Sequence, residues 1–142
     1  MTQKTPEQIL EEILNSTQPP APAPAVSPHE RFAAIVGALG VYEQVLYYGV
    51  CRVRSRGSSK TVPISQAMGE YYLLLEEHHL SRPRTSTFWG TLASLELAGF
   101  VRVHRRSNRI KITGWEIPFE DVLAHLSRVD FAAELARRTA TT

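Results

Sequence analysis

The sequence is poor in cysteine, in glycine-rich loops and in long hydrophobic runs, and each absence excludes a class of protein. A single cysteine, Cys51, among 142 residues excludes an intramolecular disulfide framework and a zinc site built from cysteines. No segment has the pattern of a glycine-rich phosphate-binding loop. No run approaches the roughly 18 apolar residues that a membrane span needs, and no basic-then-apolar secretory signal is present. We therefore expect a reduced cytoplasmic environment and no membrane partner.

Clusters of side chains that would indicate a metal site or a catalytic centre are also scarce. Among the five histidines only His78 and His79 are neighbours, and adjacent residues on a helix do not converge on one ion. Glu76 and Glu77 precede them without forming a ligand pair at i, i+4 spacing. Cys51 lies among apolar residues, which is typical of an inert core thiol. We expect no enzymatic activity, no metal and no cofactor.

Positive charge is concentrated in the middle of the chain, although the whole sequence carries a net charge of only +2. Residues 50–112 hold eleven lysines and arginines against four glutamates, a net charge of +7. The flanking segments are acidic, with −2 over residues 1–26, −1 over 27–49 and −2 over 113–142. Such a concentration of positive charge is typical of a nucleic-acid-binding surface.

The N-terminal 26 residues are expected to form a short amphipathic helix and a flexible linker rich in proline and alanine. Pro6 suits the first helical position, and Thr5 with Gln8 makes a capping box. Four apolar residues follow on one stripe, namely Ile9, Leu10, Ile13 and Leu14. Residues 18–25 are typical of a semi-rigid polyproline spacer. This arrangement favours a protein partner bound through residues 6–15, and a frayed tail without a partner is the alternative.

Hydrophobic periodicity predicts four further helices, over residues 27–39, 41–54, 65–79 and 85–97. Ser27 is expected to cap the first of them, with Glu30 completing a capping box. Ser65 is expected to cap the third. Gly99 is expected to end the fourth, since glycine tolerates the left-handed conformation that closes many helices.

After Gly99 the apolar period changes from helical to alternating. Residues 100–104 and 109–112 alternate on either side of a polar turn, which predicts a two-stranded hairpin. Its apolar face is expected to consist of Val101, Val103, Ile110 and Ile112, with basic side chains on the other face. Residues 61–64 are long enough only for an edge strand.

A last helical region is expected to open at Pro118 and at the acidic residues that follow it. It is expected to bury Val122, Leu123, Leu126, Phe131 and Leu135. A homodimer built through residues 27–39 or 130–138 and a monomer with these helices packed on itself are both compatible with the sequence.

The order helix, short strand, helix, turn, helix and basic hairpin predicts a mainly α fold with a small β-hairpin, in the α+β class. This order of elements is typical of a winged helix-turn-helix domain. We expect that domain to span residues 27–142, with a core at about 40–127 and extra helices at both ends. In such domains the third helix of the motif, here residues 85–97, lies in the DNA major groove. The hairpin, or wing, lies on the neighbouring backbone or in the minor groove.

The candidate DNA-binding residues come from the start of this third helix and from the wing. Arg82 and Arg84 precede the helix, where guanidinium groups and the positive helix terminus can face phosphate. Small hydroxyl donors in its first turn are Thr85, Ser86 and Thr87. Trp89 points either outward or into a side contact, and a partly buried core position is its alternative. The wing contributes Arg102, Arg105, Arg106, Ser107, Arg109 and Lys111. An ordinary solvated turn is the alternative interpretation of the wing.

Three short segments carry a family resemblance. They are YEQVL at residues 42–46, GEYY at residues 69–72 and the segment 88–101, which ends in LELAGFV at 95–101. In this order they resemble, over residues 39–126, the C-terminal winged-helix domain of the archaeal origin-recognition initiators. These initiators are relatives of the eukaryotic origin-recognition and cell-division-control ATPases.

The resemblance implies DNA contact through the recognition helix and the wing. Carried over by position, it points to Arg84, Thr85, Ser86, Thr87 and Trp89 on the helix and to Arg105, Arg106, Ser107 and Arg109 in the wing. Ser86 and Thr87 stand where the family is often more basic, which weakens the expectation of strong base readout. The AAA+ ATPase domain of the family has no counterpart in these 142 residues, so ATP hydrolysis is not expected.

The sequence therefore predicts a winged-helix protein that binds double-stranded DNA. It is expected to be nucleoid-associated in the cytoplasm, as a replication-initiator-like module or a transcriptional regulator from an archaeon, plasmid or virus. The alternative is a winged-helix adaptor that recruits a protein partner through the tethered N-terminal helix.

Overall fold

The computed structural model describes residues 5–8 and 26–140. From residue 26 onward the elements are α1 (Pro28–Gly37), α2 (Val41–Arg56), β1 (Thr61–Pro63), α3 (Ile64–Glu77), α4 (Thr85–Leu97), β2 (Val101–His104), β3 (Arg109–Ile112), α5 (Phe119–Ser127) and α6 (Phe131–Ala140). None of these helices is both long enough and apolar enough to cross a membrane.

The N-terminal helix begins where the capping residues predict it. Gln8 Oε1 accepts a hydrogen bond from the Thr5 backbone N–H at 3.1 Å, and Thr5 Oγ1 accepts one from the Gln8 N–H at 3.3 Å. This reciprocal pair satisfies backbone donors that the first turn of a helix leaves open. The predicted apolar stripe of Ile9, Leu10, Ile13 and Leu14 lies outside the described residues.

The three strands form one antiparallel sheet in the order β1–β3–β2. Ile110 on β3 lies opposite Val62 on β1 and opposite Val103 on β2. Apolar side chains at alternating positions therefore meet on one face of the sheet, as the hairpin pattern predicts. With α2, α3 and α4 packed against it, this sheet completes a winged-helix-like α+β fold, and the predicted fold class is confirmed.

Helix α2 runs through the centre of the core and contacts most other elements. Four residues close together in this helix are fully buried, namely Val45, Leu46, Tyr47 and Val50. A helix that is apolar on nearly every side is expected to be surrounded by protein. The helix continues to Arg56, two residues beyond the predicted end.

Helix α4 has the predicted bounds. It buries Phe88, Leu92 and Leu95 on one face, as the i, i+3, i+4 spacing indicates. Gly99 follows it with φ +84°, a left-handed conformation in which a side chain would be strained. The predicted role of Gly99 at the end of the helix is confirmed.

The predicted start of α3 was wrong. The helix begins at Ile64, and Pro63, the last residue of β1, occupies the N-cap position. The Ile64 N–H donates to Asn108 O at 2.9 Å across the sheet, so the strand passes directly into the helix. Ser65 consequently lies in the first turn and not at the cap. The helix also ends earlier than predicted, at Glu77.

The C-terminal region forms two helices, α5 and α6, and packs on the same chain. Phe131 is fully buried, with its ring 4.9 Å from that of His78 and 6.1 Å from that of Tyr48. Arg138 donates to the carbonyls of Leu39 at 2.6 Å and Gly37 at 2.7 Å, which fastens α6 to the end of α1. Phe131 is therefore a core residue of its own chain and is not available as a dimer contact.

Two hydrophobic side chains in the region of α1 lie in environments that local spacing does not indicate. Ile35, three residues after the buried Phe32 on the same helix, is 38% exposed. Trp115, for which no local pattern in the sequence predicts a role, packs on the rings of Phe32 and Phe100 at 5.3 and 5.2 Å. Its Nε1–H donates to the Tyr47 hydroxyl at 2.9 Å. This contact ties the segment after the sheet to α2.

Candidate nucleic-acid interface

Helix α4 and the wing are joined by one carboxylate. Glu96 Oε2 accepts a hydrogen bond from the Val103 N–H of β2 at 2.8 Å, and Glu96 Oε1 lies 3.7 Å from Arg105 Nη2. Since β2 is an edge strand, this N–H points away from the sheet and needs a partner outside it. Glu96 therefore sets the orientation of the wing relative to α4.

We call the resulting surface the α4–wing surface. Its exposed members are Arg84, Thr85, Ser86, Thr87, Trp89, Gly90, Ala93, Leu97, Arg102, His104, Arg105, Arg106, Ser107 and Lys111. Most of the residues predicted from the sequence to contact DNA are thus brought to two adjacent elements. Their role in DNA contact stays a prediction.

Two cations face each other across the wing. Arg102 on β2 lies directly opposite Lys111 on β3, and both side chains are exposed. Like charges in such a pair destabilise a sheet, because their side chains stand on the same face about 5 Å apart at Cβ. Arg106 at the hairpin tip is also exposed, and Asn108 closes the turn with φ +54°. Arg102, Lys111 and Arg106 are therefore exposed cations of the wing that do not contribute to the packing of the core.

Arg109 has a different environment from the other wing cations. Its Nε donates to Thr61 Oγ1 at 2.5 Å and its Nη2 donates to Thr61 O at 2.8 Å. The side chain is partly buried, so it holds β3 to β1. The sequence predicts a DNA contact at Arg109, and the structure adds an internal bonding role that local spacing did not indicate.

The start of α4 combines two arginines with exposed hydroxyl groups. Arg84 occupies the N-cap position and is exposed, and its carbonyl accepts the Thr87 N–H at 2.9 Å. The Arg82 guanidinium lies over the Tyr72 ring at 4.1 Å from the centroid. This cation–π contact orients Arg82 from α3 while leaving the residue exposed. A helix N-terminus with adjacent guanidinium groups is suited to phosphate.

Trp89 points outward from α4. It is 48% exposed and meets the buried Phe88 ring edge-on at 5.3 Å. Ser86, Gly90, Ala93 and Leu97 form the rest of the outer face, and Leu97 is 90% exposed. Of the two orientations that the sequence left open for Trp89, the structure has the outward one.

Three arginines of residues 50–112 lie outside the α4–wing surface and contact other side chains of the same chain. Arg52 Nε and Arg56 Nη1 lie 3.0 and 2.9 Å from the oxygens of Glu70, whose side chain is only 8% exposed. Arg52 also pairs with Glu77 at 3.2 Å, and Arg54 lies over the Phe119 ring at 4.2 Å. The charge of residues 50–112 is therefore partly neutralised at the α2–α3 contact, which leaves the excess on the α4–wing surface.

The groups whose pKa values are raised by burial lie in the core. Burial raises the pKa of the Cys51 thiol to about 12, and burial also raises the pKa of Tyr47 and of Tyr71. Each change favours the neutral form, as expected of packed core groups. Within residues 5–8 and 26–140, no three His, Cys, Asp or Glu side chains are grouped so that they could hold a metal ion.

Comparison with known proteins gives one structural likeness. No family model and no curated protein matches the sequence. The fold is similar to part of the crystal structure of Cdc6p from Pyrobaculum aerophilum, with a TM-score of 0.62 and 18% sequence identity. The match covers 72% of this chain but only 26% of that one. At this identity the likeness concerns the fold alone, and it supports the predicted similarity to the archaeal initiators at that level. The assignment to their C-terminal winged-helix domain stays a prediction.

Proposed function

We propose that this chain is a double-stranded DNA-binding module related to replication initiators. Its wing contacts phosphates and α4 enters the major groove. The observation that carries the proposal is the exposed pair Arg102 and Lys111, placed opposite each other in the sheet register. A like-charged pair costs stability in the free protein, and a polyanion lying across it removes that cost.

The expected mode of binding is mainly electrostatic. Six exposed cations are available from the wing and from the start of α4, namely Arg82, Arg84, Arg102, Arg105, Arg106 and Lys111. Neutralising about four to six phosphates releases the counterions that those phosphates hold. The logarithm of affinity should therefore fall with the logarithm of salt concentration at a slope of about −4 to −5.

Fluorescence anisotropy with a labelled duplex, across a series of salt concentrations, tests this proposal. Replacing Arg106 by Gln should reduce the magnitude of the slope by about one, because one phosphate contact is lost. Arg128→Gln is the matched control. It removes the same charge from the exposed turn between α5 and α6 and should leave the slope unchanged. Binding that does not respond to salt would overturn the proposal.

The replication role is the more specific part of the proposal. It is supported by the fold shared with part of Cdc6p. A transcriptional regulator would use the same surface, so the two roles differ in the DNA sequence that is bound. Selection of bound duplexes from a random pool separates them. Enrichment of a repeated element found at a replication origin supports the initiator role, and enrichment of a promoter operator contradicts it.

An adaptor that recruits a protein partner is the second candidate. The observation in its favour is the reciprocal hydrogen bonding of Thr5 and Gln8, which starts a helix well before the winged-helix domain. Under the DNA-binding proposal, removal of residues 1–26 should leave duplex affinity within about twofold of that of the full chain. Loss of duplex binding by the truncated chain would instead place an essential contact in the N-terminal segment.

A further inference from the structure

The outer face of α4 contains no side chain that reads guanine or adenine by paired hydrogen bonds. Ser86, Gly90, Ala93 and Leu97 recur at i, i+4, i+7 and i+11, so they lie on one face, and Trp89 flanks them. All five are exposed. Arginine and lysine are the usual readers of guanine, and asparagine and glutamine those of adenine. Apart from the single hydroxyl of Ser86, their absence from this face leaves apolar contact as the means of base recognition.

Gly90 has no role that packing within the described chain explains. It lies in the interior of α4, where glycine lowers helix stability relative to alanine. A Cβ built at Gly90 meets no atom within 4 Å, so no neighbour in the chain excludes a side chain there. A local cost without an internal benefit is often found at a functional site. Close approach of an external molecule to the α4 backbone provides the missing benefit.

The neighbouring wing indicates what that external molecule is. Glu96 ties α4 to β2, and the exposed Arg105 lies beside Glu96 at 3.7 Å. A polyanion held by the wing cations is therefore brought against the face that carries Trp89 and Ala93. In the DNA major groove the apolar group within reach of such side chains is the C5-methyl of thymine.

We propose that α4 recognises thymine methyl groups through Trp89 and Ala93, with Gly90 allowing the helix backbone to approach the bases. This inference rests on the proposed DNA-binding function and adds a base preference to it. A·T-rich duplexes bind more tightly than G·C-rich ones under this proposal. The preference comes from methyl contact and not from hydrogen bonds to adenine.

Replacing thymine by deoxyuracil in the probe removes only the C5-methyl groups. For the full chain, each contacted methyl that is lost should weaken binding about fourfold, from the transfer free energy of one buried methyl-sized group. Trp89→Ala introduced together with Ala93→Gly should bind the two probes with nearly equal affinity, because the side-chain groups that contact the methyl groups are removed. Arg106→Gln should weaken both probes by the same factor and keep their ratio.

Two glycines provide a matched pair of variants for the close approach. Gly90 in α4 and Gly69 in α3 are both interior to helices, and a Cβ at either meets nothing within 4 Å. Gly90→Ala and Gly69→Ala should each raise Tm by about 2–4 °C, since alanine is the better helix former. Only Gly90→Ala should weaken duplex binding. Equal duplex affinity of the two variants would overturn the role of Gly90.

The outcomes separate this inference from the function on which it rests. Absence of salt-dependent binding to either probe contradicts the proposed DNA-binding function itself. Salt-dependent binding with equal affinity for the thymine and deoxyuracil probes leaves that function standing and overturns methyl recognition.

Discussion

Arg102 and Lys111 lie directly opposite each other on the exposed face of the β2–β3 hairpin, although each strand could carry neutral residues there at no cost to the core. Their repulsion is local and electrostatic, so changing one charge should affect folding and DNA binding in opposite directions. The two measurements together would distinguish a DNA-binding surface from an ordinary solvated hairpin.

We expect Arg102→Glu to stabilise the fold and to weaken DNA binding. The substitution converts a like-charged cross-strand pair into an opposite-charged one, which should add roughly 0.5–1 kcal/mol to the free energy of unfolding. Thermal unfolding and duplex anisotropy measure the two effects. Arg128→Glu changes the net charge equally outside the α4–wing surface. It should leave duplex binding unchanged, and it should not stabilise the fold, because Arg128 caps the C-terminus of α5. A lower stability for Arg102→Glu would contradict the repulsion argument.

Glu96 should determine how firmly the wing is held to α4. Replacing it by Ala leaves the Val103 N–H without its acceptor and should cost about 1 kcal/mol of stability. Glu96→Gln keeps a side-chain oxygen acceptor and should restore most of that loss. Because Gln also removes a negative charge beside Arg105, we expect it to tighten duplex binding. Amide hydrogen exchange at Val103 gives the structural readout, and equal protection in Glu96→Ala and the unmodified chain would contradict the link.

The hydrogen bond from Trp115 to Tyr47 should contribute measurably to stability. Tyr47 is fully buried, so Trp115→Phe leaves its hydroxyl without this donor, at a cost of about 1–2 kcal/mol beyond the lost ring area. Tyr47→Phe introduced together with Trp115→Phe removes the unpaired hydroxyl. A double-mutant cycle by urea unfolding should give a coupling of about 1 kcal/mol. Additive effects of the two substitutions would contradict the interaction.

Stability should fall at alkaline pH because of the buried thiol. The pKa of Cys51 rises from its usual 9.0 to about 12 in the folded chain, so only the unfolded chain loses this proton near pH 10. The contribution is complete below about pH 9 and is lost as pH rises toward 12. Between pH 8 and pH 10.5 this amounts to about 2 kcal/mol. Urea unfolding of Cys51→Ala should show a correspondingly smaller fall, and an identical fall in both proteins would contradict the prediction.

Local patterns in the sequence were sufficient to predict the elements of the candidate interface. The bounds of α4, the left-handed Gly99 and the two strands of the wing follow from the apolar period and from turn residues close to each element. These features depend on residues a few positions apart. The residues that predict each of these elements therefore lie within the same short stretch of sequence.

The start of α3 could not be predicted in this way. Ser65 is a good cap by residue type, but the Ile64 N–H is already bonded to Asn108 across the sheet. The pairing of β1 with β3 therefore decides where the helix begins, and that pairing joins segments more than 40 residues apart in the chain.

By itself, the sequence determined the winged-helix-like order of elements and the concentration of positive charge in residues 50–112. The tertiary structure alone decided which of those charges remain available. It pairs Arg52 and Arg56 with the buried Glu70, and it bonds Arg109 to Thr61 over 48 residues of sequence. Periodicity is a property of neighbouring residues, whereas ion pairing depends on contacts that exist only after the chain has folded. The exposed Arg102–Lys111 pair became visible for the same reason, since only the strand register places the two cations face to face.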